Sequence, residues 1–252
     1  MRSDADERDP NARKSCLGVD RLLSRYMQER SPATRPSRQM TSLGRDTVDQ
    51  LIEKIRTNGP YLSHQEKTLI LQMLPMVSCG EESAVILFGM HAQNTTVDLP
   101  ARRIAEDICV EERQHVLLLR ALEEVCSDCR LANRTPDAAE FFRQNRGSDA
   151  ATRFRVIVVI DSLTCIVLSA LLQGKLGEID VVSSVLRRIR ADEANHVRLC
   201  RSYLGRERAE PTPLFEQVKS DFSRHVGLFS EALISARVNP EALAARIQSW
   251  RT

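Results

Sequence analysis

The chain has 252 residues, of which 42% are hydrophobic, and this is enough to bury the core of one helical domain or of two small ones. Its formal net charge is only +2, with acids and bases interleaved, so it lacks the broad basic footprint of a nucleic-acid binder. No unbroken apolar run approaches the roughly 20 residues of a membrane span, so we expect no membrane association.

The first part of the chain, residues 1–43, is rich in Arg, Ser, Pro and Asp, and is predicted to be a flexible N-terminal arm. Its beginning has neither the apolar stretch of a secretory signal nor the composition of a transit peptide. The chain carries seven cysteines, an odd number, and several lie within apolar helical patterns, which favours reduced thiols over a disulfide framework. These observations predict a cytoplasmic location.

Helical periodicity dominates the chain from Thr47 onward, and no sustained alternation typical of strands is found there. We therefore predict one all-α domain with C-terminal helices over residues 44–252. The predicted helices cover residues 45–57, 62–93 with a break or kink at Pro75, 100–128, 136–145, 149–173, 176–206, 212–236 and 240–250. Four of these are long enough to form a bundle, and the shorter ones are expected to pack outside it.

Two of the long helices carry the same local pattern, in which an acid is followed by Glu-x-x-His. The pattern places Glu112 and His115 on one face of the helix over 100–128, and Glu193 and His196 on one face of the helix over 176–206. Both motifs lie in the middle of an apolar stripe, where unpaired polar groups would cost several kcal/mol each. Metal coordination is the common explanation that we favour.

Each of the other two long helices contributes one carboxylate to its own apolar stripe. These are Glu81 in the helix over 62–93 and Asp161 in the helix over 149–173. Glu81 precedes Glu112 by nearly the same distance along the chain as Asp161 precedes Glu193. Two carboxylates plus two Glu-x-x-His motifs, one from each of four helices, are the ligand set of a ferritin-like di-metal bundle.

With this ligand set, the chain resembles the ferritin-like di-iron carboxylate superfamily over roughly residues 62–206. That superfamily includes bacterial multicomponent monooxygenases, ribonucleotide reductase small subunits, rubrerythrins and aldehyde-deformylating oxygenases. The run Gly80-Glu81-Glu82-Ser83-Ala84 is similar to the first ligand helix of several members, and this similarity favours Glu81 over Glu82. The resemblance implies a ferritin-like four-helix bundle with extra peripheral helices.

The resemblance also implies a cofactor and the residues that hold it. The cofactor would be two iron ions, with manganese or a mixed iron–manganese pair as the alternative. The implied metal ligands are Glu81, Glu112, His115, Asp161, Glu193 and His196. In the family, an acid just before the motif Glu often accepts a hydrogen bond from the opposite histidine, which implies the pairs Asp192–His115 and Glu111–His196.

Three positions depart from the patterns of particular members. Asp161 stands where most relatives have Glu, and its shorter arm would leave that metal position with an extra water or a weaker bond. Ile189 is not the additional histidine of the arylamine N-oxygenase branch, and Leu119 is not the radical tyrosine of ribonucleotide reductase subunits. The sequence therefore does not favour those two chemistries.

The predicted function is that of an O2-dependent di-iron oxygenase or hydroxylase acting on an unidentified organic substrate, served by an electron-donor protein. Apolar neighbours of the motifs, among them Val116 and Val197, favour this over iron storage. A ferroxidase or peroxide-scavenging protein and a metal-free helical binding module are the alternatives. A homodimer and an RNA substrate stay open, although the charge pattern does not argue for RNA.

Overall fold

A computed structural model describes residues 46–94, 96–129, 140–142, 144, 149–205 and 213–251, and they belong to one compact unit spanning residues 46–252. All regular elements in these ranges are helices, which confirms the predicted all-α class. The helices are α1 (Val48–Asn58), α2 (His64–Gln93), α3 (Leu99–Val125), α4 (Ala150–Gln173), α5 (Lys175–Glu178), α6 (Asp180–Leu204), α7 (Pro213–Gly227), α8 (Ser230–Ser235) and α9 (Pro240–Ser249), with a 3-10 turn at Gly59–Tyr61. The predicted arm over residues 1–43 and most of the predicted helix over 136–145 lie outside the described residues.

Polar side chains define where the long helices begin. Ser63 and Glu66 form a reciprocal capping box at the start of α2, and Asp98 and Asp149 accept backbone N–H groups at the starts of α3 and α4. Asp98 also accepts a hydrogen bond of 2.6 Å from the hydroxyl of Tyr203 at the end of α6. The beginning of one motif helix is thereby tied to the end of the other.

Two of the predicted helices are interrupted in the structure. The segment over 176–206 divides into α5 and α6 at Ile179, because the chain turns tightly around Gly174 and Gly177. A Cβ at Gly177 would lie 1.9 Å from the backbone oxygen of Leu172, so only glycine fits there. The segment over 212–236 divides into α7 and α8 after Gly227, whereas α2 continues through Pro75 without interruption.

The long helices pack in two pairs, α2 with α3 and α4 with α6. The helices α2 and α3 are separated by only residues 94–98 along the chain, and they pack against each other. Contacts between α3 and α6 join the pairs, and α7 packs along α4. The apolar helix faces that carry the two Glu-x-x-His motifs therefore meet in the interior.

By length and mean hydropathy alone, α2 and α4 are also long enough to cross a membrane. The expectation of no membrane span rested on unbroken apolar runs, and these two helices reach high hydropathy without one. In the most apolar windows of α2 and α4, 44% and 56% of the residues are buried inside the protein, as is usual for core helices. Their composition is therefore weak evidence for a membrane span.

Candidate metal centre

The structure brings all six predicted ligand side chains together in the interior. They come from α2, α3, α4 and α6, and none is more than 5% exposed. Ligand atoms of two subsets lie within 4.8 Å of one another, and the members of these subsets are Glu81, Glu112, His115 and Glu193, and Asp161, Glu193 and His196. These buried carboxylates and imidazoles are suitably placed to bind metal.

Glu112 and Glu193 each lie between the two histidines. The carboxylate oxygens of Glu112 are 3.5 Å from Nδ1 of His115 and 3.4 Å from Nδ1 of His196. The corresponding distances for Glu193 are 3.7 and 3.5 Å. Since each of these glutamates presents one oxygen to either histidine, both are placed to bridge two ions.

Glu81 and Asp161 each lie beside one histidine only. Oε2 of Glu81 is 2.9 Å from Nδ1 of His115, and Oδ2 of Asp161 is 3.7 Å from Nδ1 of His196. The arrangement thus divides into a Glu81–His115 half and an Asp161–His196 half that share the two central glutamates. The distance between carboxylate and imidazole is longer in the Asp161 half, in keeping with the shorter side chain of Asp161.

The outer nitrogen of each histidine faces a further carboxylate. Nε2 of His115 lies 3.2 Å from Asp192, and Nε2 of His196 lies 2.8 Å from Glu111. These are the two pairs that the family resemblance implies. If each Nε2–H donates to its carboxylate, Nδ1 keeps its lone pair for a metal ion.

Arg188 is a contributor that the sequence did not reveal as part of the site. Its Nε donates to Asp192, and its Nη2 donates to Gln114 at 3.1 Å. Burial raises the pKa of Asp192, but hydrogen bonds from His115 and Arg188 outweigh this effect and lower it. The pattern of Arg188 four residues before Asp192 was the available signal, although it is also common on solvated helix faces.

The carboxyl groups are crowded enough to hold protons when metal is not bound. Burial and the neighbouring charges of Glu81 and Glu193 raise the pKa of Glu112 well above its ordinary value. Burial and Glu193 raise the pKa of Asp161 in the same way. Burial also raises the pKa of Glu81, but the charges of His115 and His196 and the hydrogen bonds from His115 and Glu112 together outweigh it, and the net shift is downward.

In the absence of metal, the two histidines hold protons because the neighbouring carboxylates stabilise the imidazolium form. Burial lowers the pKa of His115, but the carboxylates of Glu81, Asp192 and Glu193 together raise it to about 10. Burial likewise lowers the pKa of His196, and Glu111 and Glu193 raise it well above its ordinary value. Protons thus partly neutralise the buried acids.

The donor set fits a pair of divalent cations. The four carboxylates at the centre would carry four negative charges when ionised, which two such ions would cancel. Within the cluster, Oε2 of Glu112, Oδ2 of Asp161 and Nδ1 of His196 are buried without a hydrogen-bond partner among the described residues. Buried polar atoms are rarely left in this way, and a cation would satisfy all three.

We expect metal binding to release protons. A ferrous or manganous ion must displace protons from His115, His196, Glu112 and Asp161, because each has a pKa above its ordinary value in the metal-free protein. Apparent affinity should therefore rise with pH up to about 10, where His115 loses its proton in the metal-free protein. A pH indicator in weakly buffered solution at pH 7 would measure the release, and a titration that leaves the pH unchanged while metal binds would contradict this expectation.

An apolar cavity of about 70 Å³ adjoins the carboxylates. Residues from α2, α4 and α7 line most of it, together with Phe142. Its only acidic lining residues, among those described, are Glu81, Glu112, Asp161 and Glu193. A Cβ at Gly80 would lie 3.0 Å from the Phe142 ring, so the glycine before Glu81 makes room for that wall.

The sequence did not reveal the contribution of α7 to this cavity. Phe222, His225 and Val226 all line it, although their segment was predicted to pack outside the bundle. No local motif marks these residues, since their place depends on where α7 packs. His225 is the chemically notable one because its side chain is polar and only 3% of the residue is exposed.

Comparison with protein-family models, with curated proteins and with solved structures found no match.

Proposed function

We propose that the protein is an O2-dependent di-iron oxygenase of the ferritin-like kind that acts on a small organic substrate. The observation that carries the proposal is the apolar cavity, whose acidic residues are the same four carboxylates that could hold metal. The four long helices would form the ferritin-like bundle. The reductant would come from an electron-donor protein in the cytoplasm.

Iron is favoured over zinc because oxygen-rich ligation with two imidazoles suits iron and manganese. Glu112 and Glu193 would bridge the two ions, while Glu81 with His115 and Asp161 with His196 would complete the two positions. When bound, the iron pair would supply the electrons that activate dioxygen. In the net reaction one oxygen atom would enter a C–H bond of the substrate and the other would leave as water with two protons from solvent, and the donor would return the two electrons that the irons had given.

Residues around the metal ligands would fix the orientation of the ligands and exclude water from the site. Asp192 and Glu111 orient the imidazoles through Nε2, and Arg188 keeps Asp192 ionised. The apolar side chains of the cavity would keep bulk water away from the reacting atoms. Their chemistry suits an uncharged substrate better than the passage of iron ions, because an ion path would need acids along it.

The proposal is tested by loading the full-length protein with ferrous iron without oxygen and then admitting isotopically labelled dioxygen together with a reductant. We expect uptake of a pair of ions per chain and labelled oxygen in an organic product. Rapid iron oxidation with continued iron uptake, and no labelled product from any substrate, would instead favour the ferroxidase alternative. Protein that retains less than one metal ion per chain after iron is supplied would favour the metal-free binding module.

A substitution of an exposed glutamate on the same helix as a predicted ligand serves as the control for the loading experiment. Glu123 is an exposed glutamate on α3, the helix of Glu112, so Glu123→Ala is expected to bind and react as the unaltered protein does. Loss of iron from Glu123→Ala would mean that binding depends on general acidity rather than on the buried cluster.

A further inference from the structure

His225 differs from every other histidine of the chain. The chain has five histidines, and four of them have a partner for at least one ring nitrogen. Both nitrogens of His225 are buried without a hydrogen bond of acceptable geometry to any described residue. The Met76 carbonyl on α2 lies close enough to raise its pKa.

Aromatic rings surround the His225 side chain. It stacks on Phe141 with ring centroids 4.9 Å apart, and the ring of Phe142 packs edge-on at 5.5 Å. Phe222 and Phe229 lie at 6.2 and 5.6 Å. Burial among these rings lowers the pKa of His225 to about 4, against the opposing effect of the Met76 carbonyl.

Burial of a polar group among aromatic rings costs folding free energy unless the group forms a hydrogen bond. An unpaired buried donor or acceptor loses its water without a replacement bond. His225 lines the cavity that also contains the four site carboxylates, so a molecule inside the cavity can reach it. The described protein residues do not satisfy this imidazole, and a bound molecule would.

We infer that His225 anchors the substrate by hydrogen bonding to a neutral oxygen-bearing group, so that the substrate is a small alcohol or carbonyl compound. A neutral imidazole offers one N–H donor and one nitrogen acceptor, which matches a hydroxyl or a carbonyl oxygen. The surrounding rings donate no hydrogen bond to a carboxylate, and an ammonium group would be drawn to the four site carboxylates of the cavity rather than to His225, so a charged group suits this anchor poorly.

The size of the substrate follows from the distance between His225 and the site carboxylates. Met76, beside His225, precedes Glu81 on α2 by five residues, or roughly 7.5 Å of helix rise. The cavity volume of about 70 Å³ is well below the roughly 150 Å³ of a cavity that takes benzene. A chain of a few carbons would therefore place its far end near the carboxylates while its oxygen stays at His225.

This inference rests on the proposed function in identifying the bound molecule as a substrate, but its test needs no turnover. Binding of 1-butanol to the full-length metal-free protein would be measured by NMR of the His225 ring and by titration, beside 1-chlorobutane, butanoate and butylamine. We expect 1-butanol to shift the ring signals of His225 and to bind more tightly than butanoate, whereas butylamine, drawn to the carboxylates, should leave those signals unshifted. Equal or tighter binding of butanoate, or an equal shift of the His225 signals by butylamine, would overturn the neutral-substrate inference.

Variants separate anchoring from a structural role. His225→Phe is expected to weaken 1-butanol binding roughly 3- to 10-fold, which is the value of one neutral hydrogen bond, and to leave 1-chlorobutane unchanged. His225→Gln should recover part of the loss because an amide can also donate and accept. The melting temperature of His225→Phe should be kept or raised, since an unpaired buried group is removed. His64→Phe, at an exposed histidine outside the cavity lining, is the matched control and should bind as the unaltered protein does.

If His225→Phe binds 1-butanol as tightly as the unaltered protein, the inference that His225 anchors the substrate is wrong. This conclusion does not depend on whether the protein proves to be an oxygenase. If binding depends on His225 but no labelled oxygen enters the bound alcohol or any other compound, the anchor stands and the oxygenase proposal fails. Ala84→Leu, which would fill the cavity, should weaken 1-butanol and 1-chlorobutane alike. Unchanged binding of both would place them elsewhere and overturn the inference.

Discussion

Glu193→Ala is expected to abolish metal binding at both positions, so that the iron content falls from a pair of ions per chain to near zero. Glu193 belongs to both groups of ligand atoms and presents one oxygen toward each histidine. Its removal takes a ligand from both ions at once and leaves the remaining buried acids uncompensated. Metal analysis after anaerobic loading and desalting measures the effect.

Asp161→Ala is the informative comparison, because Asp161 lies beside His196 only. We expect this variant to lose or weaken one position and to keep the other, so that about one ion per chain is retained. If Asp161→Ala and Glu193→Ala lose metal equally, the division into bridging and terminal carboxylates is wrong. Retention of both ions by Glu193→Ala would contradict the bridging role directly.

Metal loading is expected to raise the melting temperature by about 8 to 16 °C. A ligand at roughly 1,000 times its dissociation constant stabilises the folded state by about 4 kcal/mol, and each kcal/mol shifts the midpoint of a domain of this size by roughly 2 to 4 °C. The metal-free protein must keep crowded carboxyl groups buried with protons as the only compensation. Thermal unfolding with and without a chelator measures the difference.

Two controls make the stability measurement specific. Magnesium is expected to give a smaller shift than ferrous or manganous ion, because it loses its waters reluctantly and does not favour imidazole. Glu193→Ala should show almost no shift with any of these ions. An equal shift in Glu193→Ala would place the stabilising ion at another site.

The sequence predicted the residues of the cluster well because the signals were local and repeated. Glu112 and His115 share a helix face at a fixed spacing, and their apolar neighbours on the same stripe indicate burial. The same holds for Glu193 and His196. A polar group at the centre of an apolar stripe stands out without knowledge of the fold, and the structure places all these side chains in one interior cluster.

The sequence did not predict the surroundings of the cluster. Arg188 could not be distinguished from other arginines on α6, because its pairing with Asp192 and Gln114 depends on how α3 meets α6. His225 lies on α7, far from either motif in sequence, and only packing of α7 along α4 brings it to the cavity. Contacts of this kind depend on tertiary structure, and the periodicity of a single sequence does not indicate which distant residues will meet.

The division of the ligands between two helix pairs has a mechanical consequence. The α2–α3 pair and the α4–α6 pair each contribute half of the donor atoms, and the central glutamates come one from each pair. An ion at the centre would therefore act as a cross-link between segments distant in sequence, in the manner of a clip that closes a long loop. Separation of the two pairs would require that the ion be released first, so the occupied protein should resist unfolding kinetically as well as thermodynamically.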